Sequence, residues 1–263
     1  MKHGKVALEV RDGVGVVTLD DPGTLNAWDM KLLEDFTEAV DQLEDRSSGI
    51  RCALLTGAGR AFSSGANLKG FGTSAKGSKS GADSVLATHI NPLFLRLREL
   101  RVPLVTAVNG VAAGIGMSFA LAGDLVLMAR SAYFLQAFAR IGLVPDGGSS
   151  YVLPRLIGTR RALELAMLAD RLPAETALEW GLVNRVVDDA KLMDEALNVA
   201  ERLAKGPASL GLIRRMFWDS LENDHAGQLA LEAKLQGQAG RTKDAKEGVA
   251  AFLEKRDPVF RGE

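Results

Sequence analysis

Cysteine occurs once in the 263 residues and histidine three times. A single thiol closes no intrachain disulfide, which points to a reducing compartment. Cys52 lies in the apolar run Cys52 to Leu55, where a buried, inert thiol is expected rather than a nucleophile. His3, His89 and His225 stand far apart without ligand spacing, and no CxxC occurs, so a metal site is not expected. An excess of one charge is missing too. The 32 Lys and Arg nearly balance the 33 Asp and Glu, which leaves no global basic field to attract nucleic acid or a membrane surface. No apolar run approaches the about 18 residues of a membrane span, and the N-terminal MKHGKVALEV lacks the apolar core of a signal peptide. The protein is expected to be soluble and cytoplasmic.

What is present is ample apolar material. At 47% hydrophobic and 25% charged residues, the chain suits one large domain, or a domain with a small appendage, and most of it is not disordered. The central stretch is NGVAAGIGMSFALAGD, Asn109 to Asp124, between the apolar runs Leu104 to Val108 and Leu125 to Ala129. It reads as strand, glycine turn, helix and strand, with the helical spacing over Met117 to Ala122. A glycine turn that opens a helix leaves the first N–H groups without internal partners, ready to meet an anion or an oxygen becoming one. The same glycines would also serve a tight packing turn. A phosphate loop is the weaker reading, because no Gly-Lys-Ser/Thr follows and no acid stands at dinucleotide spacing.

Around this centre, Val6 to Val10 and Val14 to Leu19 read as strands joined by Arg-Asp-Gly, a hairpin signal. Met30, Leu33, Phe36, Val40 and Leu43 mark an amphipathic helix over Trp28 to Leu43, with Asp29 near its start. Ile50 to Thr56 is a short apolar strand, followed by AFSSGANLKG, Ala61 to Gly70. Gly72 to Ser84 holds three glycines, four serines and two lysines, a composition that reads as a mobile loop, better placed as a lid than as a linker. Val85 to Leu100 has helical spacing until Pro103. Asp146 sits in a Pro-Asp-Gly-Gly turn, which turn chemistry alone would explain. Beyond it the pattern is nearly all helix: Arg160 to Ala169, Ala174 to Trp180, Asp189 to Lys205, Pro207 to Leu221, His225 to Gln236 and Thr242 to Lys255, with Leu182 to Val187 extended. This suggests a core over residues 1–190 and a helical C-terminal region over 191–263 that packs on a partner subunit.

Three segments, AFSSGANLKG, NGVAAGIGMSFALAGD and IGLVPDGGSSYVLPRLIG, together resemble the enoyl-CoA hydratase/isomerase (crotonase) superfamily. The likeness extends to Asn26-Ala27, to EWGLVNRVV at Glu179 to Val187 and to the closing EGVAAFLEKRDPVF. Each segment alone is weak, and their order and spacing carry the signal. The resemblance implies an α/β crotonase-like spiral of ββα units in two sheets, with C-terminal helices that build a homotrimer or a homohexamer. It implies a substrate carried as a coenzyme A thioester, with no covalently bound cofactor and no metal. The thioester oxygen would lie between the backbone N–H groups of Ala66 and Ile115. Two such donors aimed at a developing oxyanion are worth several kcal/mol, about 10²- to 10³-fold in rate for each one removed. For the CoA moiety the resemblance points to Asn26 and Ala27, to Phe62, Ser64 and Ala66 along the adenine, to Asn67, Leu68 and Gly114, and to Phe252, Lys255 and Phe260 from the C-terminal helices. Lys69, Lys76 and Lys79 would meet phosphates or stay as solvated surface charge. Asn67 stands where the family usually has aspartate and reads as loop-capping.

A typical hydratase of this superfamily carries one glutamate on the helix after the glycine turn and another before the Ile-Gly of the third segment. Those positions match Ser118 and Phe138 here, whereas adding water needs two acid-base groups. Asp146 is the acid that remains. Its turn resembles the isomerase branches, including the 1,2-epoxyphenylacetyl-CoA isomerase type. A double-bond shift needs one acid-base group, and a carboxyl desolvated by Phe138, Ile141, Leu143 and Val144 would have its pKa raised towards neutrality. The leading expectation is an acyl-CoA isomerase that uses Asp146. The alternatives are another lyase or hydrolase of the superfamily, or a non-catalytic acyl-CoA-binding member. The dehalogenase branch needs a tryptophan near the halide, and the region around Phe138 has none.

Overall fold

The computed structural model describes residues 2–68 and 82–263. Its elements in order are β1 (Lys2–His3), β2 (Val6–Arg11), β3 (Val14–Leu19), α1 (Met30–Glu44), β4 (Cys52–Gly57) and β5 (Ala61–Ser63). After the undescribed stretch come helical turns over Ala82–Val85 and Leu86–Ile90, then α2 (Asn91–Glu99), β6 (Leu104–Val108), β7 (Val111–Ala113), α3 (Ile115–Ala120), β8 (Leu125–Ala129) and β9 (Tyr133–Leu135). The chain continues through α4 (Ser149–Leu168), β10 (Arg171–Pro173), α5 (Ala174–Glu179), β11 (Arg185–Val187), α6 (Leu192–Ala204), α7 (Ser209–Asp219), α8 (His225–Ala239) and α9 (Lys243–Glu254).

Seven strands form one sheet in the order β1-β2-β3-β4-β6-β8-β11, and four form another in the order β10-β9-β7-β5. The unit that repeats is legible in those orders. β4, β6 and β8 lie side by side and parallel in the large sheet, and each is followed by a short strand, β5, β7 or β9, in the small one. A helix then returns the chain to the next unit, which makes the ββα spiral of the crotonase fold. Two glycines make the corners between sheets possible. A Cβ on Gly57 would lie 2.4 Å from the Ala61 carbonyl oxygen, and one on Gly110 would lie 2.2 Å from that of Arg60. No side chain fits against backbone at such separations.

Every residue of β4 and of β6 is buried, as expected for parallel strands covered on both faces. Cys52 is buried among them, and burial pushes its thiol up to about 12. α1 begins where Asp29 accepts from the Leu32 N–H at 2.9 Å, a side-chain cap, and it presents Leu32, Leu33, Phe36, Val40 and Leu43 to the core. Trp28 stacks on Phe119 with ring centroids 3.8 Å apart, and Phe94 stacks on the same ring at 4.4 Å. In the C-terminal region, α6 buries Leu192, Ala196, Ala200 and Ala204 and packs on β4, β6 and β8. α7 is tied to the core by Arg214, whose Nε donates to Asp124 Oδ2 at 2.6 Å, and by Trp218, whose Nε1 donates to Asp124 Oδ1 at 2.7 Å. Among the described residues no helix is long and apolar enough to cross a membrane.

The sequence pattern left β10 unmarked, because Arg171-Leu172-Pro173 has neither alternation nor an unbroken apolar run. Its strand character comes from pairing with β9, register Leu172 to Phe134. The helix expected over Met117 to Ala122 starts two residues earlier, at Ile115.

Candidate active site

Two segments meet where the small sheet ends. The first runs from β5 to Leu68 and is held against the Leu25-Asn26 turn. Ser63 Oγ donates to the Asn26 carbonyl at 2.8 Å and accepts from the Gly65 N–H at 3.2 Å, and the Ser64 N–H donates to the Leu25 carbonyl at 2.9 Å. Ala66 forms an isolated parallel bridge with Trp28. The bridge bonds run from the Trp28 N–H to the Gly65 carbonyl, 2.8 Å, and from the Asn67 N–H to the Trp28 carbonyl, 2.7 Å. In parallel pairing the residue between those two partners turns its own N–H to the opposite side. The Ala66 N–H therefore points away from Trp28.

The second segment runs from β7 into α3. Gly114, at φ 51° and ψ −127°, breaks the strand, and Ile115 becomes the first helical residue. Its N–H has no carbonyl behind it in the helix to bond. The two segments touch. A Cβ on Gly65 would lie 2.9 Å from the Ala113 carbonyl oxygen, and one on Gly116 would lie 2.7 Å from Ser63 Oγ. Ala66 and Ile115 are each one residue from these contacts. The Ile115 side chain is buried and only its N–H is offered. Phe138 is buried as well, with its ring 3.7 Å from the place a Cβ on Gly114 would occupy.

Asp146 stands across from α3, in the turn that opens α4. Its carbonyl accepts from Ser118 Oγ at 3.1 Å, from Ser149 Oγ at 2.8 Å and from the Ser149 N–H at 3.1 Å. Its carboxylate is different: among the described residues Oδ1 is buried without a hydrogen-bond partner. Burial pushes the carboxyl up to about 6, with no neighbouring charge contributing. A half-buried acid with one carboxyl oxygen buried and unpaired, able to change protonation near neutral pH, has the properties of a general acid-base group.

The source of that burial differs from the expectation. Ile141, Leu143 and Val144 are 51%, 49% and 79% exposed, so they do not wall off the carboxyl. The turn packs instead on Ser118 and Phe94. Gly147, at φ 58°, lies so close that a Cβ there would sit 2.8 Å from Ser118 Cβ and 2.9 Å from the Phe94 ring. Phe94 was not among the residues that the sequence pointed to, since its helical spacing marks it only as core.

The residues expected along coenzyme A separate into groups. Asn26 is fully buried, and its side chain is a staple: Nδ2 donates to the carbonyls of Ala58, Ala61 and Phe62, and Oδ1 accepts from the Asp21 N–H. Phe62 is fully buried, so its ring offers no face to an adenine. These two side chains hold the loop rather than line a surface. Ala27 is buried, Ser64 is half-buried with Oγ on the Thr24 carbonyl, Ala66 is exposed, Asn67 is half-buried and Leu68 is exposed. Phe252 is 83% exposed and Lys255 is exposed, so within one chain neither packs into the site. Lys69, Lys76, Lys79 and most of the Gly72 to Ser84 stretch lie outside the described residues.

A sequence profile of the enoyl-CoA hydratase/isomerase family matches residues 9–263. The chain belongs to that family. It is 44% identical over 254 residues to 1,2-epoxyphenylacetyl-CoA isomerase of Escherichia coli (strain K12), covering 96% of this chain and 97% of that one. It is 40% identical over 265 residues to a Rhodobacter capsulatus protein named "Probable enoyl-CoA hydratase", covering the whole of both chains. The crystal structure of an enoyl-CoA hydratase/isomerase from Cupriavidus metallidurans CH34 superposes with a TM-score of 0.92 at 31% identity, over 100% of this chain and 98% of that one. The enoyl-CoA hydratase/isomerase family acts on acyl-CoA thioesters, and the names of these relatives divide between its two activities.

Proposed function

We propose that the chain is an enoyl-CoA isomerase in which Asp146 carries the proton. The observation that bears most weight is the buried, unpartnered Oδ1 of Asp146 beside a helix that has Ser118 where a typical hydratase has a glutamate. The second position of that kind holds Phe138, which is buried against Gly114. The name of the Escherichia coli relative agrees with this reading.

The chemistry follows from one base and two donors. With the thioester oxygen between the N–H groups of Ala66 and Ile115, the C2 protons of a 3-enoyl thioester become acidic. The Asp146 carboxylate takes one of them, and the electron pair enters the dienolate, whose charge rests on the thioester oxygen. Preorganised donors stabilise that charge without reorganising. Asp146, now neutral, returns the proton at C4, and the double bond moves from C3–C4 to C2–C3. No water is consumed. Phe138 occupies space that a water-activating carboxylate would need. Coenzyme A itself would lie along the Ser64 to Leu68 backbone. We assign the exposed apolar side chains Phe252, Leu253 and Val249 of α9 to contacts between subunits of a homotrimer or homohexamer, where Lys255 would reach a neighbour's ligand.

Turnover of a 3-enoyl-CoA and of a 2-enoyl-CoA tests the proposal, with products followed by mass and by the absorbance of the conjugated thioester. The expected outcome is conversion of the 3-enoyl substrate without a mass change and no hydration of the 2-enoyl substrate. A gain of 18 Da, the mass of one water, on the 2-enoyl substrate at comparable rate would make the chain a hydratase.

A further inference from the structure

The Asp146 carboxylate has to be held in place, and its buried oxygen makes no hydrogen bond among the described residues. Its position is therefore set by its backbone. That backbone is a turn with Gly147 and Gly148 both at positive φ, 58° and 76°, a geometry with little intrinsic stiffness. Three donors converge on the one carbonyl of Asp146. Two belong to Ser149, three residues along, and would follow the turn wherever it went. The third, Ser118 Oγ, comes from a different element 28 residues away. Ser118 is 5% exposed and lies on α3, one turn beyond Ile115.

We infer that Ser118 is the positioning residue of this site: its hydroxyl ties the Asp146 turn to the helix that carries the Ile115 N–H, and so fixes the distance between acid-base group and oxyanion donor. The inference rests on the isomerase reading for its catalytic consequence, though not for the tie itself. The steric fit supports the same link, because the Gly147 backbone presses on Ser118 Cβ with no room for a methyl group. One bond and one tight contact therefore meet at one residue. With an apolar residue at 118 the carbonyl keeps its two local donors and the turn stays closed, but its register against α3 is lost. A shift of about 1 Å in a reacting group costs on the order of 10²-fold in rate.

The test compares wild type, Ser118→Ala and Ser118→Cys, which fills the space with a slightly larger atom but is a poor donor, in the chain of 263 residues. Isomerisation of a 3-enoyl-CoA gives kcat and KM, and ¹³C-carboxyl labelling of aspartate, assigned with Asp146→Asn, gives the Asp146 titration. Both Ser118 variants are expected to lose about 10- to 100-fold in kcat with KM within about twofold. The Asp146 midpoint should fall towards the ordinary carboxylate range as water reaches the loosened turn. A kcat and a midpoint equal to wild type in Ser118→Cys would overturn the inference. If Asp146→Asn keeps full turnover, the assignment of the proton to Asp146 falls instead, while isomerisation itself stands. The tie is then judged by the titration alone: a shifted midpoint in Ser118→Cys sustains it and an unchanged one overturns it. Should Ser118→Ala fail to fold, Ser118→Cys decides.

Discussion

Two aspartates lie near α3, Asp124 just after it in the chain and Asp146 in a turn bonded to its Ser118, and the protein treats them in opposite ways. Asp124 closes α3's segment at the start of β8 and is fully engaged. Its oxygens accept from the Leu104 N–H, from Arg214 Nε and from Trp218 Nε1, all within 2.8 Å. Asp146, across α3, leaves its buried Oδ1 without a partner among the described residues. A carboxylate whose lone pairs are taken is a structural joint, here between the core and α7. One that keeps an oxygen buried and unpaired is held at a cost, and such a cost is a mark of chemistry rather than of stability.

The sharpest way to break the comparison is Asp146→Asn. Turnover should fall by about 10²- to 10⁴-fold, the range for a lost general acid-base group, while urea unfolding shows no loss of stability. A variant that unfolds easily and keeps its activity would reverse the assignment of the two aspartates. The mirror experiment is Arg214→Met. Arg214 also donates to the carbonyls of Leu97 and Leu100, so its loss leaves a carboxylate and several carbonyls short of donors. About 3 kcal/mol of stability should go, the low end for a broken buried pair, with the isomerised product unchanged. Trp218→Phe removes one neutral donor from the same carboxylate and should cost about 1.5 kcal/mol in the same urea assay.

The contrast also explains what was legible in the sequence. The β2–β3 hairpin, α1 and the three apolar strands of the large sheet follow from local signals: a glycine turn, 3.6 periodicity and unbroken apolar runs. β10 does not, because its pairing with β9 is tertiary. The turn at Asp146 was legible as a turn, and the resemblance marked the aspartate. Its environment was not readable. The apolar residues beside it in sequence, Ile141, Leu143 and Val144, face outward, and the groups its turn packs on, Ser118 and Phe94, come from 28 and 52 residues away. Asn26 and Phe62 show the same limit. Their motif is family-like, yet the fold gives their side chains interior work: Asn26 holds three carbonyls and Phe62 fills core. Motifs identify positions, and only packing says whether a side chain or its backbone faces the ligand.

The smallest predicted effect separates the two aspartates by sign. Burial holds the Asp146 carboxyl at about 6 in the folded chain, against about 3.9 for an unperturbed aspartate. Between those values the folded state binds the proton and the unfolded state does not, so stability falls as pH rises through the window. Above about pH 6 the full penalty is present; below about pH 4 it is gone. Because the residue is only half-buried, solvent screening reduces the penalty to about 1 kcal/mol. Asp146→Asn carries no such charge. In paired urea titrations it should be more stable than wild type by about that amount at pH 8, and the gap should close as the pH falls to about 4. A gap that stays constant with pH would mean that the carboxyl is solvated in the folded protein, which would remove the ground for treating it differently from Asp124.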